Sequence, residues 1–236
     1  MTSVRREVQE ALASHPCFGQ LTDSQRSALI NVGRKKTLSS TTILFQNGDP
    51  YRGFYLVVSG TAQTYRLSRD GRMLVLRVLR PNESFAESRL FEQGDSATHM
   101  ATTETLEESK MLFIPKRPFR RFAAENPQVY PKLLQMLGNR LRGAVRQIDA
   151  LSLQDVQQRL AGYLMRQVSG EEKNRATAPT VELDVPKAVL AAKLGTVPET
   201  LSRTLTRLEQ RNLIRSEASK IVLTGMSELR RLSRST

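Results

Sequence analysis

The sequence predicts an α+β protein of two domains joined by one long helix. Short β-branched runs separated by glycine and aspartate turns fill the first half of the chain. A heptad repeat of apolar residues follows, and two short helices around Gly195 come after it. A chain of 236 residues is long enough to build two hydrophobic cores.

The β-rich half begins after a short helical start and a second predicted helix at Ser24–Val32. Alternating and β-branched patterns predict strands at Thr42–Gln46, Phe54–Ser59, Thr61–Leu67, Met73–Leu79 and Lys110–Ile114. Asp70-Gly71 is the tip of one predicted hairpin, because this dipeptide suits a tight turn. Many short strands with glycine turns favour a closed or double-layered β-structure.

Apolar residues then recur at intervals of 3, 4, 3, 4 and 3 residues. This heptad seam consists of Leu134, Leu137, Leu141, Ala144, Ile148 and Leu151. A narrow seam predicts a parallel homodimer, in which two copies of the helix bury the stripe against each other. The alternative is a helix packed on its own β domain. Gly143 weakens the helix, so the seam is expected to be adjustable.

Around Gly195 the pattern is that of a helix-turn-helix. Leu201, Leu205 and Leu208 form the buried stripe of the second helix, and Glu199, Ser202, Arg203 and Arg207 lie off it. Gly195 is suited to the left-handed turn, and Thr196 with Glu199 has capping-box spacing. Such a motif presents its second helix to the major groove. An ordinary helical hairpin is the alternative, with Glu199 serving only as a cap.

Composition favours a nucleic-acid partner and excludes several other classes. The chain has 36 Lys and Arg against 23 Asp and Glu, a net charge of +13, which attracts phosphate. A single cysteine, Cys17, permits neither a disulfide framework nor an iron–sulfur cluster within one chain. No membrane span, signal peptide or catalytic motif is recognisable, so we expect a cytoplasmic protein that is not an enzyme.

The run from Lys187 to Arg203 resembles the DNA-binding domain of the CRP/FNR superfamily of bacterial regulators. The resemblance lies in Leu190-Ala191, Leu194-Gly195 and Pro198-Glu199-Thr200-Leu201-Ser202-Arg203. Ile43–Pro50 and Phe54–Gly60 resemble its effector-binding β-roll. The resemblance implies a cyclic-nucleotide-binding-like jelly roll at residues 1–125, a dimerisation helix at 126–156 and a winged helix-turn-helix at 157–236.

Glu199-x-x-Ser202-Arg203 is shared with the FNR branch, whose targets are palindromes of TTGA-type half-sites. The resemblance implies that Arg203 reads guanine and Glu199 cytosine, which agrees with their hydrogen-bonding chemistry. The expected DNA-binding residues are Lys187, Pro198, Glu199, Thr200, Ser202, Arg203 and Arg207, with Arg215 and Lys220 on a predicted wing. Expected partners are double-stranded DNA, a second copy of the chain and, for an activator, RNA polymerase.

The stretch Phe85–Ala97 resembles the phosphate-binding cassette of the cAMP receptor protein but lacks its glycine and its Arg-Ser pair. Ala144 and Val145 replace the Thr-Ser pair that would hold adenine, so we expect no cAMP binding. Arg89 is expected to have a surface or structural role. The expected effector pocket comprises Phe85, Ala86, Glu87, Ser88, Leu90, Phe91, Leu137 and Leu141.

The Phe85–Phe91 variant, together with Ser14–Phe18, resembles the DNR-type branch, near the HcpR regulators. These groups respond to nitric oxide and related nitrogen species, with haem as the usual proposed sensor, and the candidate ligands here are His15, Cys17, His99 and Met100. Alternatively, His15 anchors the N-terminal segment while Cys17 and Met100 are core residues. Two other hypotheses remain. The effector is a non-haem metabolite, or the protein is an adaptor that binds cyclic nucleotides but not DNA.

Overall fold

A computed structural model describes residues 3–94, 96–168, 178–217 and 220–234. The chain divides into two compact units. The first contains residues 1–66 and 76–142, and the second contains residues 67–75 and 143–236. None of the described helices is both long enough and apolar enough to cross a membrane.

The first unit is built from two four-stranded antiparallel sheets, three complete helices and the first part of a longer helix described below. Its helices are α1 Ser3–Ala13, α2 Asp23–Val32 and α3 Lys116–Glu125. Its strands are β1 Arg34–Leu38, β2 Ile43–Phe45, β3 Gly53–Ser59, β4 Ala62–Leu67, β5 Met73–Leu79, β6 Ser84–Phe85, β7 Thr102–Thr105 and β8 Ser109–Pro115. The sheet orders are β1-β8-β3-β6 and β2-β7-β4-β5. This is the predicted double-layered β-structure, and the tip of the β4–β5 hairpin belongs to the second unit.

Three phenylalanines pack together in the core between the first unit's helices and its first sheet. Phe54 and Phe119 meet edge to face with ring centroids 4.8 Å apart, and Phe18 lies 6.1 Å from each. All three are fully buried, where such pairs add stability beyond the area they bury. Thr22 and Gln25 form a capping box that starts α2, which fixes the helix predicted at Ser24–Val32.

The second unit is a winged helix. It contains α5 Val156–Gln167, β9 Thr180–Glu182, α6 Lys187–Lys193, α7 Pro198–Gln210, β10 Ile214–Glu217, β11 Lys220–Leu223 and α8 Met226–Arg234. The three strands form one antiparallel sheet in the order β10-β11-β9. Leu160, Leu190, Leu201 and Leu208 are fully buried in this unit. The predicted α+β class, with its β-rich N-terminal half and winged helix-turn-helix, is therefore confirmed.

A single helix, α4 at Val129–Leu153, runs for 25 residues through the segment predicted at 126–156. The division into two units falls inside this helix, between residues 142 and 143, and not at either of its ends. The three-part organisation drawn from the sequence thus stays a prediction. Only Val129 and Leu133 of α4 are buried, so most of its surface is available.

Candidate nucleic-acid interface and ligand cavity

The turn between α6 and α7 is fixed by Gly195. Its φ of +63° is left-handed, and a Cβ there would stand 2.5 Å from Leu151 Cδ2. The amide of Thr196 donates to the carbonyl of Ala191 over 3.0 Å and closes the end of α6. The left-handed backbone therefore favours glycine here, and a Cβ would in addition make the end of the Leu151 side chain shift.

The capping box predicted for Thr196 and Glu199 is wrong. Helix α7 begins later, at Pro198, and its N-cap is Val197, which makes no side-chain capping bond. Proline suits the first helical position because its missing N–H would have no partner there. Glu199 consequently stands in the first helical turn with an exposed side chain.

Helix α7 has one buried face and one exposed face. Leu201, Leu205 and Leu208 lie on the buried face, as their spacing predicts. Thr204 is also buried, and its hydroxyl donates to the carbonyl of Thr200 over 2.7 Å. The opposite face exposes Pro198, Glu199, Ser202, Arg203 and Arg207, while Thr200 is half-buried. An acidic and a basic group capable of base-edge contacts thus share one accessible surface.

The predicted wing forms from β10 and β11, which pair antiparallel. Arg215 and Lys220 are both exposed on it, and Arg215 Nε lies 2.8 Å from Glu217 Oε1. The amide of Ser216 donates to Glu209 Oε1 over 2.9 Å, which ties the wing to the last turn of α7. Lys187, at the start of α6, is exposed as well. All nine residues expected to meet DNA lie in this unit, and eight of them are exposed.

The residues of the heptad seam on α4 differ in how far they are buried. Leu134, Leu141 and Ile148 are 69%, 67% and 62% exposed, and Ala144 is exposed too. Leu137 packs against the core of the first unit, and Leu151 is half-buried, with Gly195 beside it. The exposed members leave an apolar stripe that nothing in the described part of this single chain covers.

A cavity of about 140 Å³ lies in the first unit beside β6 and β7. Its lining consists of Phe45, Tyr51, Thr64, Phe85, Ala86, Ser88, Arg89, His99, Met100, Ala101 and Thr103. Three residues of the expected effector pocket, Phe85, Ala86 and Ser88, are among them. Tyr51 and Thr64 were not expected there, and no local motif in the sequence points to them.

The other five residues of that expected pocket lie elsewhere. Glu87 is buried against Arg140 of α4, with Nη2 and Oε1 3.0 Å apart, and Leu90 belongs to the main core. Phe91 is exposed, Leu137 packs on the core and Leu141 is exposed. The chain changes direction at Ala86, whose φ of +67° precedes a short 3₁₀ helix at Glu87–Arg89. Residues after this turn therefore do not all face the cavity.

His15 and Cys17 are buried in a hydrogen-bonded cluster and are not part of that lining. His15 Nε2 lies 2.8 Å from Ser84 Oγ, and its Nδ1 accepts from the Cys17 amide over 3.1 Å. Burial lowers the pKa of His15 to about 4 and raises the pKa of Cys17 to about 12, so neither is charged at neutral pH. The Cys17 thiol donates to the carbonyl of Val129 over 3.6 Å.

These residues do not fit a haem. Both ring nitrogens of His15 are engaged, and iron takes cysteine as the thiolate, which the raised pKa of Cys17 opposes. His99 stacks on Phe45 with centroids 3.6 Å apart, while its neighbour Met100 is 62% exposed. The cavity beside them is close in size to one known to take benzene, roughly 150 Å³, and well below the roughly 300–1,000 Å³ of larger ligand sites. Across the described ranges no cluster of three His, Cys, Asp or Glu could hold a metal ion.

The exposed face of α7, the glycine turn and the wing define a winged helix-turn-helix DNA-binding regulator. Residues 35–126 match the cyclic nucleotide-binding domain family, and residues 158–232 match the Crp-like helix-turn-helix domain family. With these two domains in this order, the chain belongs to the CRP/FNR family of transcription regulators.

Several known proteins align along most of the chain. The CRP-like cAMP-activated global transcriptional regulator of Mycobacterium tuberculosis is 27% identical over 191 residues, which cover 81% of this chain and 84% of that protein. The anaerobic regulatory protein of Pasteurella multocida is 24% identical, covering 87% and 74%. FixK2 of Bradyrhizobium japonicum shares the fold at 23% identity, with a TM-score of 0.71 over 87% of this chain and 99% of that one. The first two of these proteins are regulators, which agrees with a protein that is not an enzyme.

Proposed function

We propose that this protein is a cytoplasmic, dimeric transcription regulator that binds TTGA-type palindromes and responds to a small effector. The observation that carries the DNA half of the proposal is the exposure of Glu199, Ser202 and Arg203 on the first turns of α7. A guanidinium matches the O6 and N7 of guanine, and a carboxylate accepts from the N4 of cytosine.

Phosphate contacts come from the surrounding cations. Lys187 at the start of α6 and Arg215 and Lys220 on the wing are exposed on the same unit as α7. Such contacts fix the position of α7 in the groove without reading sequence. The net charge of +13 makes the affinity depend strongly on salt.

A palindrome requires two copies of α7 about one DNA turn apart, and the exposed stripe on α4 supports such a dimer. Leu134, Leu141 and Ile148 occupy seam positions and would be buried by the same helix of a second copy. Burial of these three large side chains is favourable by the hydrophobic effect, which the isolated chain cannot gain there. RNA polymerase is a further partner if the protein activates transcription.

The effector in this proposal occupies the cavity beside β6 and not a haem site. Residues 84–88 contact both the cavity and α4. Phe85, Ala86 and Ser88 line the cavity, while the carbonyl of Ser84 and the carboxylate of Glu87 accept from Arg140 of α4. A ligand that displaces the cavity wall therefore acts on α4 through this segment, and α4 sets the spacing of the two DNA-binding units in the dimer.

The test is DNA binding by fluorescence anisotropy at about 100 mM salt, with a TTGA palindrome and a scrambled duplex of equal length. Arg203→Ala should lower the preference for the palindrome by about 1–3 kcal/mol per half-site, because one bidentate base contact is lost. Arg215→Ala is the matched control, and it should weaken both duplexes alike.

Equal losses on both duplexes for Arg203→Ala would reduce Arg203 to a phosphate contact and remove the proposed base reading. If the unaltered protein bound neither duplex, the adaptor without DNA activity would be the better reading.

A further inference from the structure

Two buried polar atoms at the cavity beside β6 have no hydrogen-bond partner in the part of the chain that the structure describes. They are the hydroxyl of Tyr51 and the Nε of Arg89. Tyr51 is 5% exposed, and both residues line the cavity. A buried donor without an acceptor is costly, so such atoms are rare unless a ligand or water completes them.

Both atoms are donors. Burial raises the pKa of Tyr51 above its usual value, so its hydroxyl keeps its proton, and an arginine is always charged. Arg89 Nη1 lies 2.7 Å from Glu92 Oε2, which leaves Nε for another acceptor. The hydroxyls of Thr64 and Thr103 form one hydrogen bond with each other over 2.9 Å. The lining contains no acidic side chain.

Three aromatic rings, those of Phe45, Phe85 and His99, form much of the remaining wall. Phe45 stacks on His99 at 3.6 Å, Tyr51 lies 5.2 Å from the same imidazole, and Phe85 lies 6.2 Å from Phe45. Burial lowers the pKa of His99 to about 4, so this wall is neutral at physiological pH. A volume of about 140 Å³ is suited to one six-membered ring.

From these features we infer that the cavity binds a small planar carboxylic acid, such as a single-ring aromatic acid, in its ionised form. The carboxylate accepts from Tyr51 Oη and Arg89 Nε, where charge-assisted hydrogen bonds are strongest, and the ring packs on Phe45 and Phe85. This inference rests on the proposed function, since it names the chemical class of the effector for the same cavity.

The probe is benzoate, titrated into the full-length protein by isothermal calorimetry and by thermal shift. Benzamide has the same ring without the charge, and cAMP represents the larger ligand class. We expect saturable binding of benzoate, at least tenfold weaker binding of benzamide and no response to cAMP at the same concentrations. Equal binding of benzamide, or no saturable response to benzoate, would overturn the carboxylic-acid assignment.

Tyr51→Phe separates a ligand contact from a structural one. The variant should bind benzoate about tenfold more weakly and yet be at least as stable without it, since an unpaired buried hydroxyl has been removed. Tyr65→Phe is the matched control, because Tyr65 is a buried tyrosine on β4 outside the cavity lining. It should leave benzoate affinity unchanged. Unchanged affinity in Tyr51→Phe would refute the role of Tyr51.

The DNA-binding half of the proposed function is measured separately, without benzoate. A protein that prefers the palindrome and ignores benzoate would retain the regulator assignment and lose only the ligand class. A protein that binds benzoate through Tyr51 but has no DNA preference would retain the ligand class and lose the regulator assignment.

Discussion

At the scale of single residues, His15 joins distant parts of the first unit. Its ring bonds to Ser84 on β6 and to the amide of Cys17, and it stacks on Phe18 with centroids 4.6 Å apart. Glu87 and Arg140 are close enough to influence its titration, yet burial is the larger effect and lowers its pKa to about 4. The folded protein therefore holds His15 neutral.

Because His15 is held neutral in the folded protein, we expect the protein to lose stability in mild acid. The unfolded chain takes up the proton near pH 6.5, but the folded protein does so only near pH 4, so stability falls as pH drops between these values. Between pH 7.5 and 5 the loss from His15 should be about 2 kcal/mol. Urea unfolding followed by tyrosine fluorescence measures it, because four of the five tyrosines lie in the first unit.

His15→Gln should reduce that pH dependence while His99 still titrates. A variant that lost as much stability between pH 7.5 and 5 as the unaltered protein would show that His15 is not the titrating group.

At the scale of elements, two glycines have opposite roles. Gly143 lies within α4 with ordinary helical geometry, and a Cβ there would have Arg146 Nη2 as its nearest contact, at 3.9 Å. Gly195 has left-handed geometry, and a Cβ there would make the end of the Leu151 side chain shift. The same substitution should therefore have opposite effects on stability at the two positions.

Gly143→Ala should stabilise α4 by about 0.5–1 kcal/mol, because alanine restricts the unfolded chain and favours the helix. Gly195→Ala should lower stability by more than that, because alanine is strained in the left-handed conformation. Thermal unfolding monitored by circular dichroism compares the two. If the seam must adjust during the response, Gly143→Ala should also reduce the effect of the effector on DNA affinity.

A stable Gly143→Ala variant with an unchanged effector response would show that adjustment of the seam at this residue is not part of the mechanism.

At the scale of the whole molecule, the proposed function depends on two copies of the chain. Ile148 is 62% exposed on the α4 stripe, and Ile43 is 46% exposed on β2. The two isoleucines thus provide a matched pair, one on the proposed dimer surface and one away from it.

Ile148→Glu should shift the protein towards monomer in sedimentation equilibrium, because it places two carboxylates in an apolar seam. Affinity for the palindrome should fall with it, while Ile43→Glu should leave both properties unchanged. A dimer that persists in Ile148→Glu would assign the contact between copies to another surface.

Several elements could be predicted from local pattern alone. The strands at residues 53–59, 62–67 and 73–79, the helix at 23–32 and the buried leucines of α7 all follow from periodicity and turn residues. Strand β1 could not, because Arg34-Lys35-Lys36-Thr37-Leu38 shows no apolar alternation and is held in place by pairing with β8. Strand β7, rich in threonine and with a central glutamate, depends likewise on β2 and β4.

The sequence by itself determined the α+β fold class, the helix-turn-helix and which face of α7 stays exposed, since each follows from residues close in the chain. Only the tertiary structure decided the partners of buried polar groups. His15 meets Ser84 from 69 positions away, and Tyr51 and Arg89 meet at one cavity. Burial patterns repeat locally, whereas hydrogen-bond partners depend on how distant segments pack, so the sequence placed Phe85, Ala86 and Ser88 at the proposed effector cavity but not Tyr51.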